Sequence, residues 1–374
     1  MRSGSDPRPA GTVLDGGPGR SGPTGLPRGV VVLLGTAGAV VTIAGMRGVA
    51  DLIGPIFLAL MLAVTVSPLT SGLRRHGTPV WLATTATVTV VYLVLLAIGG
   101  ALAVSVARLV DMLPQYREQF ATLRDQLVSG LGGLGISVPQ LRDAVAGADP
   151  GNVIQLVESL VGGLAGLLSN TVFLLAVLLF MCLDTVGFPA RLRSTTAERP
   201  QVVGALRSFA QGTRRYLLVS TVFGLIVAVV DTGLLWALGV PLPVLWGLLA
   251  FITNYIPNIG FVIGLVPPAL LALLEGGTDL MLTVIALYCV VNFVIQSVIQ
   301  PKIVGDAVGL SATVSFLSLV FWAWVLGALG ALLAIPLTLF AKGLLIDIDP
   351  STRWINTLLS GGPPPPPEPP RSTS

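Results

Sequence analysis

The chain has 374 residues, of which 53% are hydrophobic and 10% charged, with a formal net charge of +3. Soluble domains carry roughly a quarter charged residues, so this chain has too few polar groups to cover a soluble surface. Its two cysteines, Cys182 and Cys289, sit in apolar stretches with no partner at metal-ligand spacing, so neither a disulfide framework nor a zinc site is indicated, and no cofactor is expected.

Residues 1–29, rich in Gly, Pro, Ser and Arg, read as a disordered cytoplasmic tail. The first apolar stretch, Val30 to Met46, follows that long tail and precedes another apolar stretch almost at once, so it reads as a retained span and not a cleaved signal. A helix crossing the bilayer needs roughly 20 apolar residues. Stretches of that kind follow from Leu52 to Leu69, Val80 to Ala107, Leu164 to Leu183, Tyr216 to Leu238 and Leu280 to Gln300. The first three spans occupy residues 30–107, and an extracytoplasmic insert occupies 108–163. Within the insert, Leu113, Tyr116, Phe120, Leu123 and Leu127 recur at helical spacing. They predict an amphipathic helix, packed on its own protein, lying along the membrane or facing a partner.

Arginines set the orientation. They cluster in the first tail, at Arg74 and Arg75, and from Arg191 to Arg215, and each cluster is expected in the cytoplasm. Residues 164–215 then form the fourth span and a cytoplasmic Arg-rich loop. Residues 346–374, with prolines from 363 to 370, read as a second disordered tail.

Residues 216–345 hold the informative pattern. The segments 244–274 and 311–341 would each reach about 46 Å as single helices, against a hydrocarbon core of about 30 Å. Each carries helix breakers near its middle, Pro257 and Gly260 in one, Gly327 and Gly330 in the other. This predicts two hairpins that enter and leave on one side, or else two tilted, kinked helices. A shift of 68 residues pairs Val240 with Val308, Leu249 with Leu317 and Pro268 with Pro336. The preceding spans run in opposite directions, so the two units are expected to be inverted copies, a plan recurrent in transporters. The expected fold is all-α: a polytopic helical membrane protein with about six full spans plus two re-entrant helical hairpins forming an inverted repeat.

Asp231 lies inside the fifth span, where an ionised side chain costs at least about 2.5 kcal/mol. It reads either as a proton or cation group facing a cavity, or as an interfacial acid near the helix end. Asn292, Gln296 and Gln300 share one helix face, either lining a polar path or bonding neighbouring helices. Asn254 and Asn258 flank the break at Pro257, where unwound backbone exposes groups for a solute or ion. Enzyme motifs fail on context. The run from Gly130 to Gly135 fits G-x-G-x-x-G but follows no strand, no P-loop is present, and the single His76 sits in a basic loop.

Several motifs then fall into one pattern: Leu245-Trp246-Gly247, the run Asn254-Tyr255-Ile256-Pro257-Asn258-Ile259-Gly260, Gln300-Pro301-Lys302-Ile303-Val304-Gly305, Gly309-Leu310-Ser311, Gly327 with Gly330, and Pro336-Leu337. In these the chain resembles the autoinducer-2 exporter family of bacterial membrane proteins. The resemblance implies a secondary transporter or exporter in the cell membrane, with lipids, a small-molecule or cation substrate and further copies of itself as partners, and no nucleic acid. Some members are linked to export of autoinducer-2 and others to sodium or lithium extrusion against protons. Relatives often carry an acid where this chain has Ile295, which puts cation coupling at that position in doubt. The alternative is a non-transporting scaffold that binds partners through its insert and tails.

Overall fold

The computed structural model describes residues 27–116, 118, 119, 121, 122, 172–184, 187–257, 259–300, 302, 310–349, 352 and 355–359. The terminal tails, most of the insert with Phe120, Leu123, Leu127 and Gly130 to Gly135, the start of the expected fourth span, Asn258 and residues 303–309 lie outside that set. The chain divides into two compact units, Met1–Gly45 and Met46–Ser374. Most of α1 (Arg28–Gly48) belongs to the first, where Leu33, Val40 and Val41 are exposed as suits a helix whose solvent is lipid.

The second unit begins with α2 (Ala50–Arg75) and α3 (Val80–Met112). After the insert come α4 (Val172–Asp184), α5 (Phe188–Thr196), α6 (Pro200–Ala237), α7 (Pro243–Thr253) and α8 (Gly260–Asn292). A π-helical stretch, Phe293–Ile299, extends α8. Then follow α9 (Ala312–Leu332), α10 (Ala334–Lys342) and α11 (Ile355–Leu359). Among the described residues, six helices are long and apolar enough to cross a bilayer. The chain is a polytopic helical membrane protein.

The six are not all the ones expected. The described part of the fourth expected span, Val172–Asp184, is a short apolar helix. Ala312–Leu332 meets the length criterion but is interrupted at Gly327, which has φ 66° and ψ −146°. Gly260–Ile299 is likewise two helices, because Gly276 and Gly277 leave helical geometry, Gly277 with φ 73°.

α6 shows how the bundle is sorted. Phe223, Val227, Asp231 and Leu235 form one buried stripe at steps of four, while Leu218, Val222, Leu225, Val229 and Trp236 on the other side are exposed. The apolar face meets lipid, and the interior face holds the polar groups. The helix is tied to α2 at a proline. Pro68 has no N–H for the carbonyl of Val64, and Arg214 supplies the donor instead, Nε to Val64 O at 3.2 Å and Nη2 to Ser67 Oγ at 2.7 Å.

Both breaker segments fold back on themselves. In a straight helix, residues 250 and 264 would be about 21 Å apart. Here a Cβ on Gly264 would lie 3.5 Å from the Cα of Ala250, and one on Gly260 only 1.8 Å from the carbonyl oxygen of Thr253. α7 and residues 260–275 therefore run antiparallel as hairpin A. In the second segment, a Cβ on Gly330 would lie 1.9 Å from the carbonyl oxygen of Trp322, and the Trp322 indole N–H donates to Thr338 Oγ1 at 3.0 Å. Residues 312–326 and α10 form hairpin B. A kinked span cannot bring residues 322 and 338 together.

The hairpins open toward opposite ends of α6. The open end of hairpin A packs by the end of α6, with Leu271, Ala272 and Leu245 clustered around Leu235 and Val240. The open end of hairpin B lies by its beginning, where Leu339 approaches Gly212 and Gly343 approaches Ala205 and Phe209. Phe340 stacks edge-on between Phe57 and Phe209, with 5.3 Å between centroids in each pair. Residues 278–292 also run antiparallel to α6, since Tyr288 lies by Asp231 and Ile295 by Phe223 and Val227. A helix followed by a hairpin thus occurs twice, in opposed directions.

Gly260→Ala and Gly330→Ala should each lower stability in detergent by about 1–3 kcal/mol, because the new methyl meets a backbone carbonyl. Gly233→Ala, with nothing within 4 Å, should be neutral or slightly stabilising. Equal melting temperatures for Gly233→Ala and Gly260→Ala would contradict the hairpin contact.

Candidate functional site

The tip of hairpin A is fastened to one stretch of α6. Asn254 Nδ2 donates to the carbonyl of Ser220 at 2.9 Å, and the Tyr216 hydroxyl donates to the carbonyl of Tyr255 at 2.7 Å. The Tyr255 hydroxyl shares a 2.6 Å hydrogen bond with Thr221 Oγ1. Within the tip, the amide of Ile256 closes on the carbonyl of Thr253 at 2.8 Å. Asn254 also fills the space over Gly224, where an added Cβ would sit 2.9 Å from its Nδ2. Chain reversal at Pro257 is thus stabilised by side chains that replace the missing helical donors and acceptors.

Across from α6 stands the face of α8 and its π-helical extension. Gln296 uses both amide hydrogens, one to Asn292 Oδ1 at 2.7 Å and one to Asn254 Oδ1 at 3.2 Å. Asn292 Nδ2 returns a bond to the carbonyl of Tyr288 at 3.1 Å. A continuous polar chain therefore runs from Tyr288 through Asn292, Gln296 and Asn254 to the backbone of α6.

These groups and Asp231 line one small, partly open cavity together with Val227, Thr253, Phe261 and Gly264. The free room among these side chains is about that of a single water molecule, so an organic solute needs the walls to move apart before it can enter. Asp231 is fully buried, and neither of its carboxylate oxygens has a hydrogen-bond partner; the same holds for the hydroxyl of Tyr288. An unsatisfied buried oxygen is expensive, costing about 1–3 kcal/mol and more when charged. Both residues line the same cavity, so a water molecule or other hydrogen-bonding group that enters it can supply the missing interaction.

Of the residues singled out in the sequence, Asp231, Asn254, Asn292 and Gln296 meet in this cavity. Asp231 lies in the protein interior, not at an exposed helix end. Pro257 and Gly260 build the turn just beyond it, and Asn258 is outside the described residues. Gln300 is half-buried and does not line the cavity. The wider turn of the π-helix, Phe293–Ile299, carries it off the face that a regular helix would present. Gly327 and Gly330 shape the tip of hairpin B. Sequence reading missed Tyr288 and Thr253, although Tyr288 stands one four-residue step before Asn292.

The family model described as AI-2E family transporter matches residues 31–348. The chain belongs to the AI-2E transporter family. Among its relatives, the AI-2 transport protein TqsA of Escherichia coli (strain K12) is 34% identical over 315 residues, covering 84% of this chain and 90% of that protein. YhhT of the same strain is 33% identical with the same coverage. A Haemophilus influenzae protein is 30% identical over 329 residues, covering 86% and 93%. In this AI-2E transporter the hairpins and their cavity lie inside the matched region.

Replacing Gln296 by Leu strands the acceptors of Asn254 and Asn292, and should destabilise the protein by about 1–3 kcal/mol. A double-mutant cycle with Asn254→Leu should show coupling well above zero in thermal unfolding. Strict additivity would mean that the bridge contributes nothing.

Proposed function

We propose that this AI-2E family member is a secondary exporter, working in the cell membrane as a homo-oligomer with its amino terminus in the cytoplasm, and that residues 216–345 carry the solute. The observation behind this reading is the unpartnered carboxylate of Asp231 beside the tip of hairpin A. A carboxylate in a membrane interior belongs to an ion or proton path by default. Asp231 binds and releases the coupling proton, and Asn254, Asn292 and Gln296 offer the donors and acceptors that a small polar solute needs as the hairpin tip moves. The solute class is taken from the relatives, since TqsA is named an AI-2 transport protein, and an amide-lined path suits a small polar solute. The clustered arginines support the orientation.

Proteoliposomes loaded with autoinducer-2 test the reading directly. Efflux should rise when a proton gradient is imposed. Asp231→Asn, which keeps the shape and removes the charge change, should cut the gradient-dependent part by about ten-fold or more, as expected for a group acting only through its ionisation. Asp184→Asn, at the exposed end of α4, should leave it intact. Gradient-driven efflux that survives Asp231→Asn would remove this residue from the coupling path.

A further inference from the structure

Each hairpin is held at its open end by a carboxylate near the end of its returning arm. In hairpin A this is Glu275, which accepts a hydrogen bond from the hydroxyl of Tyr116. Tyr116 follows directly on α3 at the start of the insert, is 3% exposed, and packs in one cluster with Leu271 and Ala272 of that arm. In hairpin B it is Asp347, at the end of a π-helical stretch, Gly343–Asp347, that continues α10; it accepts from Asn356 Nδ2 at 2.9 Å and pairs with Lys342 Nζ at 3.5 Å. Asn356 belongs to α11, and the same segment reaches the other arm. The carbonyl of Leu359 accepts from the amide of Ser311, the residue capping α9, at 2.9 Å.

The correspondence extends to the repeat. Glu275 and Asp347 are 72 residues apart, close to the 69 from Thr253 to Trp322 and the 70 from Gly260 to Gly330. The acceptors thus occupy matching places in two inverted units. Their donors do not, because Tyr116 and Asn356 come from unrelated parts of the chain. Helices in lipid gain little from apolar contact with one another, so polar contacts weigh more in holding an arm in place. At an open end that water can reach, such a bond is exchanged for one to water at small cost, which makes it reversible.

We propose that Tyr116 and Asn356 are positioning residues, two clasps at opposite ends of α6 that set how readily each hairpin leaves its seat. The chain just after α3 thereby controls hairpin A, and the segment after α10 controls hairpin B. The inference rests on the hairpin contacts and is independent of which solute or ion passes.

Hydrogen exchange of the full chain in lipid nanodiscs tests it. Tyr116→Phe loses only a hydroxyl, and should speed amide exchange across residues 261–274 by about five-fold while residues 313–326 stay within about two-fold. Asn356→Ala should give the reverse pattern. Glu275→Gln keeps an acceptor for Tyr116 and should exchange like the unaltered protein. Equal acceleration of both hairpins by either substitution, or no acceleration by either, would overturn the proposal. Autoinducer-2 efflux measured on the same samples reports on the transport reading separately, so failure of one leaves the other standing.

Discussion

Hydrocarbon offers no hydrogen bonds, so the helix break between Thr253 and Gly260 has to be closed by protein groups, and the arrangement of the carboxy-terminal half depends on how that is done. Asn254 and Tyr255 reach the Ser220 carbonyl and Thr221, and Tyr216 reaches back to the Tyr255 carbonyl. These bonds fix the tip of hairpin A against α6. With the tip fixed there, Asn254 meets Gln296 and the cavity forms around Asp231. Take away the tip contacts and the cavity loses one wall.

The same constraint explains the glycines. An arm can return beside its partner only where no Cβ intervenes, and Gly260 and Gly330 lie against backbone carbonyls at corresponding turns. Gly247 has a related task, since a Cβ there would fall 1.9 Å from Thr232 Oγ1 and α7 could not lie this close to α6. Small residues thus bring polar backbone together in a setting where apolar packing alone has little drive. Each hairpin is also held at its open end, so tip and base are secured by different chemistry.

Much of this was legible in the sequence, because lipid imposes a plain rule on length and polarity. Breakers inside segments too long for one span pointed to hairpins while kinked helices also fitted them, and an acid among apolar residues singled out Asp231 without deciding between a cavity and a helix end. The inverted relation showed in the 68-residue register, although the turns themselves sit 69 to 70 residues apart. Gln300 falls outside the cavity that Asn292 and Gln296 line, and the π-helical stretch between them, which shifts its register, has no clear sequence signature. Tyr288 was passed over because an aromatic in an apolar helix reads as packing; only the folded arrangement shows it lining the cavity with its hydroxyl unpartnered. The two clasps join residues 159 and 9 positions apart, and no local pattern records the first.

The central claim is that both breaker segments are hairpins entering from opposite faces. Single cysteines at Leu238, Thr278, Leu310 and Leu345, in a background with Cys182 and Cys289 changed to serine, can be tested with a membrane-impermeant maleimide in right-side-out and inverted vesicles. The account predicts that positions 238 and 278 label from one face, and positions 310 and 345 from the other. Labelling of 238 and 278 from opposite faces, or of 310 and 345 from opposite faces, would show that the segment between them crosses the membrane and would contradict the account.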